Sequence, residues 1–508
     1  MAKPLQSASI AAPGFFGLNT QESSITLAAG FALQADNCVI DKYGRLGARK
    51  GWQLLSDGHT GVNLLGAHEF LDINGTRYFG AWSNDSFYIV DGSTLTAVPY
   101  VGGSPITSGN WQAATLNDAA FLFQRDHKPI YFNPTTGDID DVEDVTNNFV
   151  PQANTVLSAY GRLWAADTDD NKTTVYWSDL LDGTNFQGGT AGSVDLSSVL
   201  VKGNDEIVAL GAHAGRLIIF CKDNVVIYGD TDGDTSLDPA TMRLVEVING
   251  IGCISRDSVQ NTGTDILFLA KDGLRSLGRL IQEKSQPMRD LSKNIRDELV
   301  RAVLTTDETS IKSVYSASEA FYLLLIPEYQ RIYCFDTRSM LEDGSARVTV
   351  WDNQVQTNMI EANNTLYFTG IDGMSRYYGY TDNGNNYTIK YYTNYFDFGD
   401  STRQKFLKRL STTLIGGSGQ DIILKVGYDY DDSYRSFPIE IASQANAEYG
   451  VAEYNTAAEY TVGTLSDTVR APVGGSGGVI QVGFEATING SQLSIQKLDI
   501  YTKEGRIY

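Results

Sequence analysis

The chain has 508 residues, of which 42% are hydrophobic, 11% are aromatic and only 20% are charged. This composition excludes a disordered chain and a long charged coiled coil, and the length predicts two to four domains or one large repeat domain. The 61 acidic residues outnumber the 39 basic residues, so the net charge is −22 and the surface is a poor ligand for nucleic-acid phosphates.

The first 54 residues are predicted to form an extended assembly segment. The opening MAKPLQSASIAAPGFFG lacks the apolar core of a secretory signal, and no run of about 18 apolar residues follows anywhere in the chain. Residues 14–52 are rich in Gly and carry few apolar residues at strand spacing. We therefore expect a soluble protein in which residues 1–54 wrap over the remaining chain or a neighbouring subunit. Removing residues 1–52 should then weaken assembly more than folding.

Seven related hairpin sequences follow. Each has a polar turn, an apolar strand, a second turn of Asp, Gly or Asn, and a second strand ending in Tyr, Phe or Leu. They begin at Thr76, Leu116, Ala159, His213, Thr264, Ser316 and Ala362. Their spacing of roughly 40–55 residues is typical of propeller blades, whereas the repeats of a linear β-solenoid are shorter. The regular spacing also argues against a series of β-sandwiches, and we predict a β-propeller of six or seven blades over residues 55–394.

One short helix is predicted within this region, over Asp290–Val303. Its apolar residues recur every four positions, at Leu291, Ile295, Leu299 and Val303. Asp290 or Ser292 can cap its start.

Residues 395–508 are predicted to form an antiparallel β-sandwich, which makes the fold class all-β. Here the alternating strands are longer and the turns are rich in Gly and Ser. From residue 401 onward there are 12 acidic and 10 basic residues, so nearly all of the acidity lies in the first 400 residues.

The cysteines and histidines do not form motifs. The cysteines are far apart and are predicted to be buried free thiols in a protein made in a reducing cytoplasm: Cys38, Cys221, Cys253 and Cys334. The histidines occur singly, without the spacing of a metal site: His59, His68, His127 and His213.

Asp-rich loops are the remaining candidates for a cation site. Residues 230–238 place oxygen side chains at alternating positions, but the Gly and Glu of a calcium loop are missing at positions six and twelve. A solvated Asp-Gly turn is therefore favoured, although a bound cation stays open. Two other clusters have weaker claims: Asp167, Asp169 and Asp170, and Asp429, Asp431 and Asp432.

No enzyme motif is found. The sequence lacks a nucleophile elbow, a P-loop and a dinucleotide fingerprint. A glycosidase needs only a carboxylate pair, which 61 acidic residues supply by chance, and the string nearest to a sialidase box, 170–177, lacks its Gly and spacing. We predict that the protein is not an enzyme and has no catalytic, cofactor-binding or metal-binding residues.

The N-terminal segment carries a more specific pattern of Gly-Leu-Asn, a spaced Leu and Gly, an Asn, and then Gly-x-Leu-x-x-Arg-x-Gly. Its positions are Gly17, Leu18, Asn19, Leu27, Gly30, Asn37, Gly44, Leu46, Arg49 and Gly51. Further features follow in a fixed order: a Gly-Arg-Leu strand at 161–163, WSDL at 177–180, GIGCISRDS at 250–258, the hairpin ILFLAKDGLRSLG, one helix and the strand RIYCFDTRS. Over roughly residues 14–400 this order resembles the tail hub, or nozzle, proteins of short-tailed bacteriophages.

The resemblance implies a structural virion protein at the distal end of the tail, made in the host cytoplasm. Such proteins form a homohexameric ring that contacts the tail adaptor, the tail fibres or spikes and the tail needle or plug. Genomic DNA passes through the lumen without specific binding during ejection and host cell entry. An acidic lumen would agree with this function, because carboxylates repel phosphates at close range.

Two other functions stay open. A glycan-binding or glycan-cleaving propeller would release sugars or show a ring of aromatic residues around a pocket. A monomeric scaffold propeller would neither form rings nor enter particles.

Overall fold

The computed structural model describes residues 5–55, 61–143, 149–200, 205–230, 237–282, 290–352, 356–417, 419–441 and 466–507. Six short strands occupy the N-terminal segment: β1 Leu5–Ala11, β2 Gly17–Leu18, β3 Phe31–Asp36, β4 Cys38–Ile40, β5 Leu46–Ala48 and β6 Trp52–Leu54. Within the described ranges, no helix is long and apolar enough to cross a membrane.

Four antiparallel sheets of four strands come next, and we number them as blades 1 to 4. Blade 1 contains β7 Gly66–Leu71, β8 Arg77–Trp82, β9 Phe87–Asp91 and β10 Thr94–Val98; blade 2 contains β11 Gln112–Leu116, β12 Ala119–Gln124, β13 His127–Asn133 and β14 Asp138–Asp141; blade 3 contains β15 Ala153–Ala159, β16 Arg162–Thr168, β17 Thr174–Trp177 and β18 Gly192–Asp195; blade 4 contains β19 Ile207–His213, β20 Arg216–Cys221, β21 Asn224–Gly229 and β22 Arg243–Asn249. In each blade the chain moves outward one strand at a time.

A three-stranded sheet follows blade 4, with β23 Gln260–Asn261, β24 Ile266–Ala270 and β25 Gly273–Ser276. The chain then continues as helix α1, Leu277–Gln282, where the blades before it place a fourth strand. A 3-10 turn at Lys293–Ile295 leads into helix α2, Arg296–Leu304.

Two further blades close the ring. Blade 5 contains β26 Lys312–Ser316, β27 Phe321–Ile326, β28 Arg331–Asp336 and β29 Arg347–Trp351; blade 6 contains β30 Gln356–Ala362, β31 Thr365–Gly370 and β32 Gly373–Tyr377. The fourth strand of blade 6 is β6, which pairs with β32. The first strands of successive sheets lie side by side around the axis, and β30 contacts β7. This arrangement confirms the predicted propeller, and the seven predicted hairpins are the second and third strands of its sheets.

The blades adhere through apolar clusters between neighbouring sheets. Between blades 1 and 2, for example, Phe70 packs edge-on against Phe132, and Phe87 lies beside Trp111. Successive residues of a strand point to opposite faces of its sheet, and strands β16 and β21 are buried at every position, so blades 3 and 4 bury both of their faces there.

The C-terminal strands form two facing sheets. They are β33 Tyr387–Thr393, β34 Arg403–Gly416, β35 Asp421–Tyr428, β36 Arg435–Ile439, β37 Ser466–Ala471, β38 Ser476–Gly477, β39 Ile480–Ile488 and β40 Leu493–Ile507. One sheet has the order β37-β34-β40-β5-β4, and the other ends in β33-β39-β35-β36. Leu410 and Ile500 of the first sheet share one buried core with Leu424 and Phe484 of the second. The predicted all-β class with a β-sandwich is therefore confirmed.

The N-terminal strands are built into these sheets, whereas the sequence predicted a segment wrapped over the protein. β2 and β3 lie between β29 and β33, so blade 5 and the sandwich share one continuous ten-stranded sheet. β1 and β5 both pair with β40 on the opposite sheet. The interpretation missed these strands because they are short and their partners lie hundreds of residues away.

The predicted helix is shorter than expected. Its four apolar residues are all buried, but the α-helix begins at Arg296. Neither predicted cap is used, because the Asp290 carboxylate accepts a hydrogen bond from Arg296 Nε and Ser292 Oγ accepts one from the Leu274 amide.

Candidate functional site

A polar cavity of about 250 Å³ lies near the propeller axis, and we call it the axial pocket. Part of its wall comes from the beginnings of the innermost strands: Asn110 precedes β11, Asn154 belongs to β15, Ile207 to β19, and Thr309 precedes β26. Other lining residues lie in the turn between β12 and β13 and in the segment before β23. Because the first strands of all blades converge on the axis, residues far apart in sequence meet here.

Arg256 spans one side of the axial pocket. Its side chain is 5% exposed and lies on a 3-10 turn that precedes β23. Nη2 donates to Asn110 Oδ1 at 3.0 Å, and Nη1 donates to the Asn154 carbonyl at 2.7 Å. One planar guanidinium therefore ties blades 2 and 3 to the segment after blade 4.

Asp257 neutralises this arginine. Its two oxygens accept from Arg256 Nε and Nη2 at 2.9 and 3.0 Å, and Lys312 Nζ lies 2.5 Å from Oδ2. Burial alone would raise the pKa of Asp257, but Arg256 and Lys312 together hold it well below its ordinary value. The group is therefore a fixed anion.

The first predicted Asp cluster reaches the axial pocket. Asp167 is 3% exposed and has a left-handed backbone, with φ of 65°. Its Oδ2 accepts hydrogen bonds from Arg125 Nη2 and Asn154 Nδ2, and Lys172 Nζ lies 3.5 Å from Oδ1. Two protein cations, Arg125 and Lys172, thus already lie beside this carboxylate.

Carboxylates of another predicted Asp cluster stabilise loops by accepting hydrogen bonds from backbone amides. Asp429 Oδ1 accepts from the Gly478 amide at 2.6 Å, and Asp431 Oδ1 accepts from the Ser433 amide at 3.0 Å. In the loop 230–238, residues 231–236 lie outside the described residues. Among the described residues, no group of three or more His, Cys, Asp or Glu side chains could hold a metal ion.

The cysteines and histidines are dispersed. All four cysteines are free and buried, which confirms the prediction of buried free thiols. His68 Nε2 lies 2.8 Å from Thr115 Oγ1, and His127 Nδ1 lies 2.6 Å from the Lys128 carbonyl oxygen. His59 lies outside the described residues.

Residues of the N-terminal pattern meet at the joint between propeller and sandwich. Arg49 donates to both oxygens of Asp382 at 2.8 and 2.7 Å and through Nε to Asn37 Oδ1 at 3.1 Å. Its guanidinium also lies over the Tyr387 ring, 4.2 Å from the centroid. This arginine therefore joins the turn after β3, the loop after blade 6 and strand β33.

Two glycines of the pattern allow close backbone approaches at the same joint. A Cβ on Gly17, whose φ is 83°, would lie 2.3 Å from the Val348 carbonyl oxygen, and one on Gly51 would lie 1.9 Å from that of Thr381. Neither approach leaves room for a side chain.

Sequence reasoning missed the axial pocket, because Asn110, Asn154 and Arg256 belong to no motif. The one available signal is that Arg256 lies in the GIGCISRDS segment, which contributed to the resemblance.

Comparisons with known proteins identify no family. No protein-family model matches the chain, and a search of curated proteins also finds no match. Among solved structures, the chain is similar to PorZ, an essential bacterial surface component of the type-IX secretion system of Porphyromonas gingivalis, with a TM-score of 0.35 and 13% identity. The similarity covers 76% of this chain and 46% of that chain, so this chain spans less than half of PorZ. A likeness at this level says nothing about function.

Proposed function

We propose that this protein is the nozzle, or tail hub, of a short-tailed bacteriophage, a structural virion protein and not an enzyme. In this proposal six copies form a ring at the distal end of the tail. The ring contacts the adaptor, the fibres or spikes and the needle or plug, and DNA passes through its lumen during ejection.

The observation that carries the proposal is the ordered series of sequence features and the position of its N-terminal members. Arg49, Gly17 and Gly51 lie where the propeller, the sandwich and the N-terminal strands meet. Because these residues of the pattern hold the joint together, the pattern is specific to an architecture in which a propeller and a sandwich share N-terminal strands. A rigid connection between the two parts suits a subunit that must hold its shape in a ring.

The charge distribution gives secondary support. Nearly all of the net charge of −22 lies in the first 400 residues, which include the propeller. A carboxylate-rich lumen would repel DNA within about 8 Å at physiological salt and would keep a duplex mobile.

Electron microscopy tests the proposal directly. The purified full chain, and particles that contain a tagged copy of it, should show closed rings with an open centre. Exclusively single 55.5 kDa particles that never enter virions would overturn the ring proposal and favour a monomeric scaffold.

A further inference from the structure

We propose that the axial pocket binds a small organic cation, through an ammonium or guanidinium group. The proposal concerns a ligand site inside one subunit and does not depend on ring formation.

The charged side chains of the axial pocket favour a cationic ligand. Five carboxylates and three cationic side chains line it. Each cation already has a carboxylate partner: Arg125 contacts Asp167, Lys222 lies 3.0 Å from Glu206, and Arg256 binds Asp257. Two carboxylates, Asp126 and Glu308, have no ion-pair partner within 4 Å in the described part of the chain.

An unpaired hydrogen-bond acceptor in the axial pocket favours a ligand that donates hydrogen bonds. Gln124 is 2% exposed and lines the pocket, and its Oε1 has no hydrogen-bond partner within the described ranges. Its amide nitrogen is already used, since Nε2 donates to the Ser108 carbonyl at 3.1 Å. A buried acceptor left without a donor destabilises the folded chain, so an N–H donor that reaches Gln124 Oε1 would gain this bond.

The unpaired carboxylates and the unpaired amide oxygen together indicate the chemistry of the ligand. A donor-rich cation matches unpaired carboxylates and an unpaired amide oxygen, whereas an anion would face the unpaired carboxylates of Asp126 and Glu308. The volume of about 250 Å³ accommodates an alkylammonium or alkylguanidinium group. Such a group could belong to a free polyamine or to a Lys or Arg side chain of a partner protein.

Calorimetric titration of the full chain tests the proposal. The probes are spermidine and agmatine for a free amine, the capped tripeptide acetyl-Gly-Arg-Gly-amide for a protein side chain, and methyl glucoside as an uncharged polyol. We expect one of the cationic classes to bind, and the tighter class identifies the source. Methyl glucoside should not bind.

A matched pair of variants separates the pocket from the general acidity of the chain. Asp126→Asn/Glu308→Gln removes two exposed carboxylates of the pocket and should weaken binding of the probe at least about tenfold. Asp432→Asn/Glu342→Gln removes the same charge from exposed positions outside the pocket lining and should change the affinity less than about twofold.

Three results would overturn the proposal: no cationic probe binds the parent chain, both double variants weaken binding equally, or only methyl glucoside binds. None of these results bears on ring formation.

Discussion

Asp382 holds a guanidinium that has almost no contact with water, since the Arg49 side chain is 2% exposed. Asp382→Asn keeps the shape but leaves the arginine charge without its anion. We expect the free energy of unfolding to fall by about 3 kcal/mol, because breaking a buried pair strands a buried charge. Urea denaturation measures this loss.

A half-buried pair nearby provides the control. Lys50 Nζ lies 2.6 Å from Glu319 Oε1, with side chains 32% and 27% exposed. Glu319→Gln should therefore cost less than about 1 kcal/mol. Equal losses in the two variants would contradict the structural role assigned to Arg49.

His68 gives the fold a pH dependence. Burial lowers its pKa to about 4, from an ordinary value of 6.5. Between these values the unfolded chain binds a proton at this site and the folded chain does not, so the folded state loses stability as the pH falls from 6.5 to 4. His68→Gln should remove about 2 kcal/mol of this loss. Denaturation curves across this window measure the difference, and a difference independent of pH would refute the assignment.

The contacts of the axial pocket show why its residues could not be predicted. Arg256 meets Asn154 and Asn110 across separations of 102 and 146 residues. Nothing local to any of the three requires the contact, which exists only because the first strands converge on the axis.

Hairpins are the elements that the sequence predicts best, because both strands and the turn lie within about 20 residues and their pairing is decided locally. Strand β3 shows the opposite case. Its partner β33 lies far along the chain, with Ala32 opposite Thr393, so the local pattern looks like an irregular segment. The helix is intermediate: periodicity found its buried face, while tertiary hydrogen bonds to Asp290 and Ser292 determined where it starts.

Strand β6 closes the propeller, and its pairing with β32 can be disrupted by one substitution. Gln53 is exposed and lies opposite Arg376. Gln53→Pro removes a backbone donor from the strand and should lower the free energy of unfolding by about 2–3 kcal/mol. Amide hydrogen exchange should rise first in β32 and along the contact between β30 and β7. Gln53→Ala is the control and should leave hydrogen exchange in β32 unchanged. If the proline variant also left exchange in β32 unchanged, β6 would be dispensable for closing the propeller.

For the whole molecule, propeller and sandwich behave as one unit because the N-terminal segment contributes to both. Phe15, Leu18, Ile40 and Leu46 are each at most 5% exposed and belong to the sandwich core. Burial of a side chain of this size contributes about 2 kcal/mol. The burial of these four side chains therefore contributes a free energy comparable to the total stability of about 5–15 kcal/mol that is typical of a native protein.

Deleting residues 1–54 should consequently unfold the protein, whereas the sequence alone predicted that removal of residues 1–52 would weaken assembly more than folding. The deletion removes β2 and β3 from the interior of the ten-stranded sheet and β6 from blade 6. Deleting residues 1–11 removes β1, whose one strand partner within the described residues is β40, and should leave a folded chain of lower stability. Near-ultraviolet circular dichroism and hydrodynamic radius distinguish these states. A cooperatively folded 55–508 fragment would show that the segment is an accessory, and ring assembly could then be tested separately from folding.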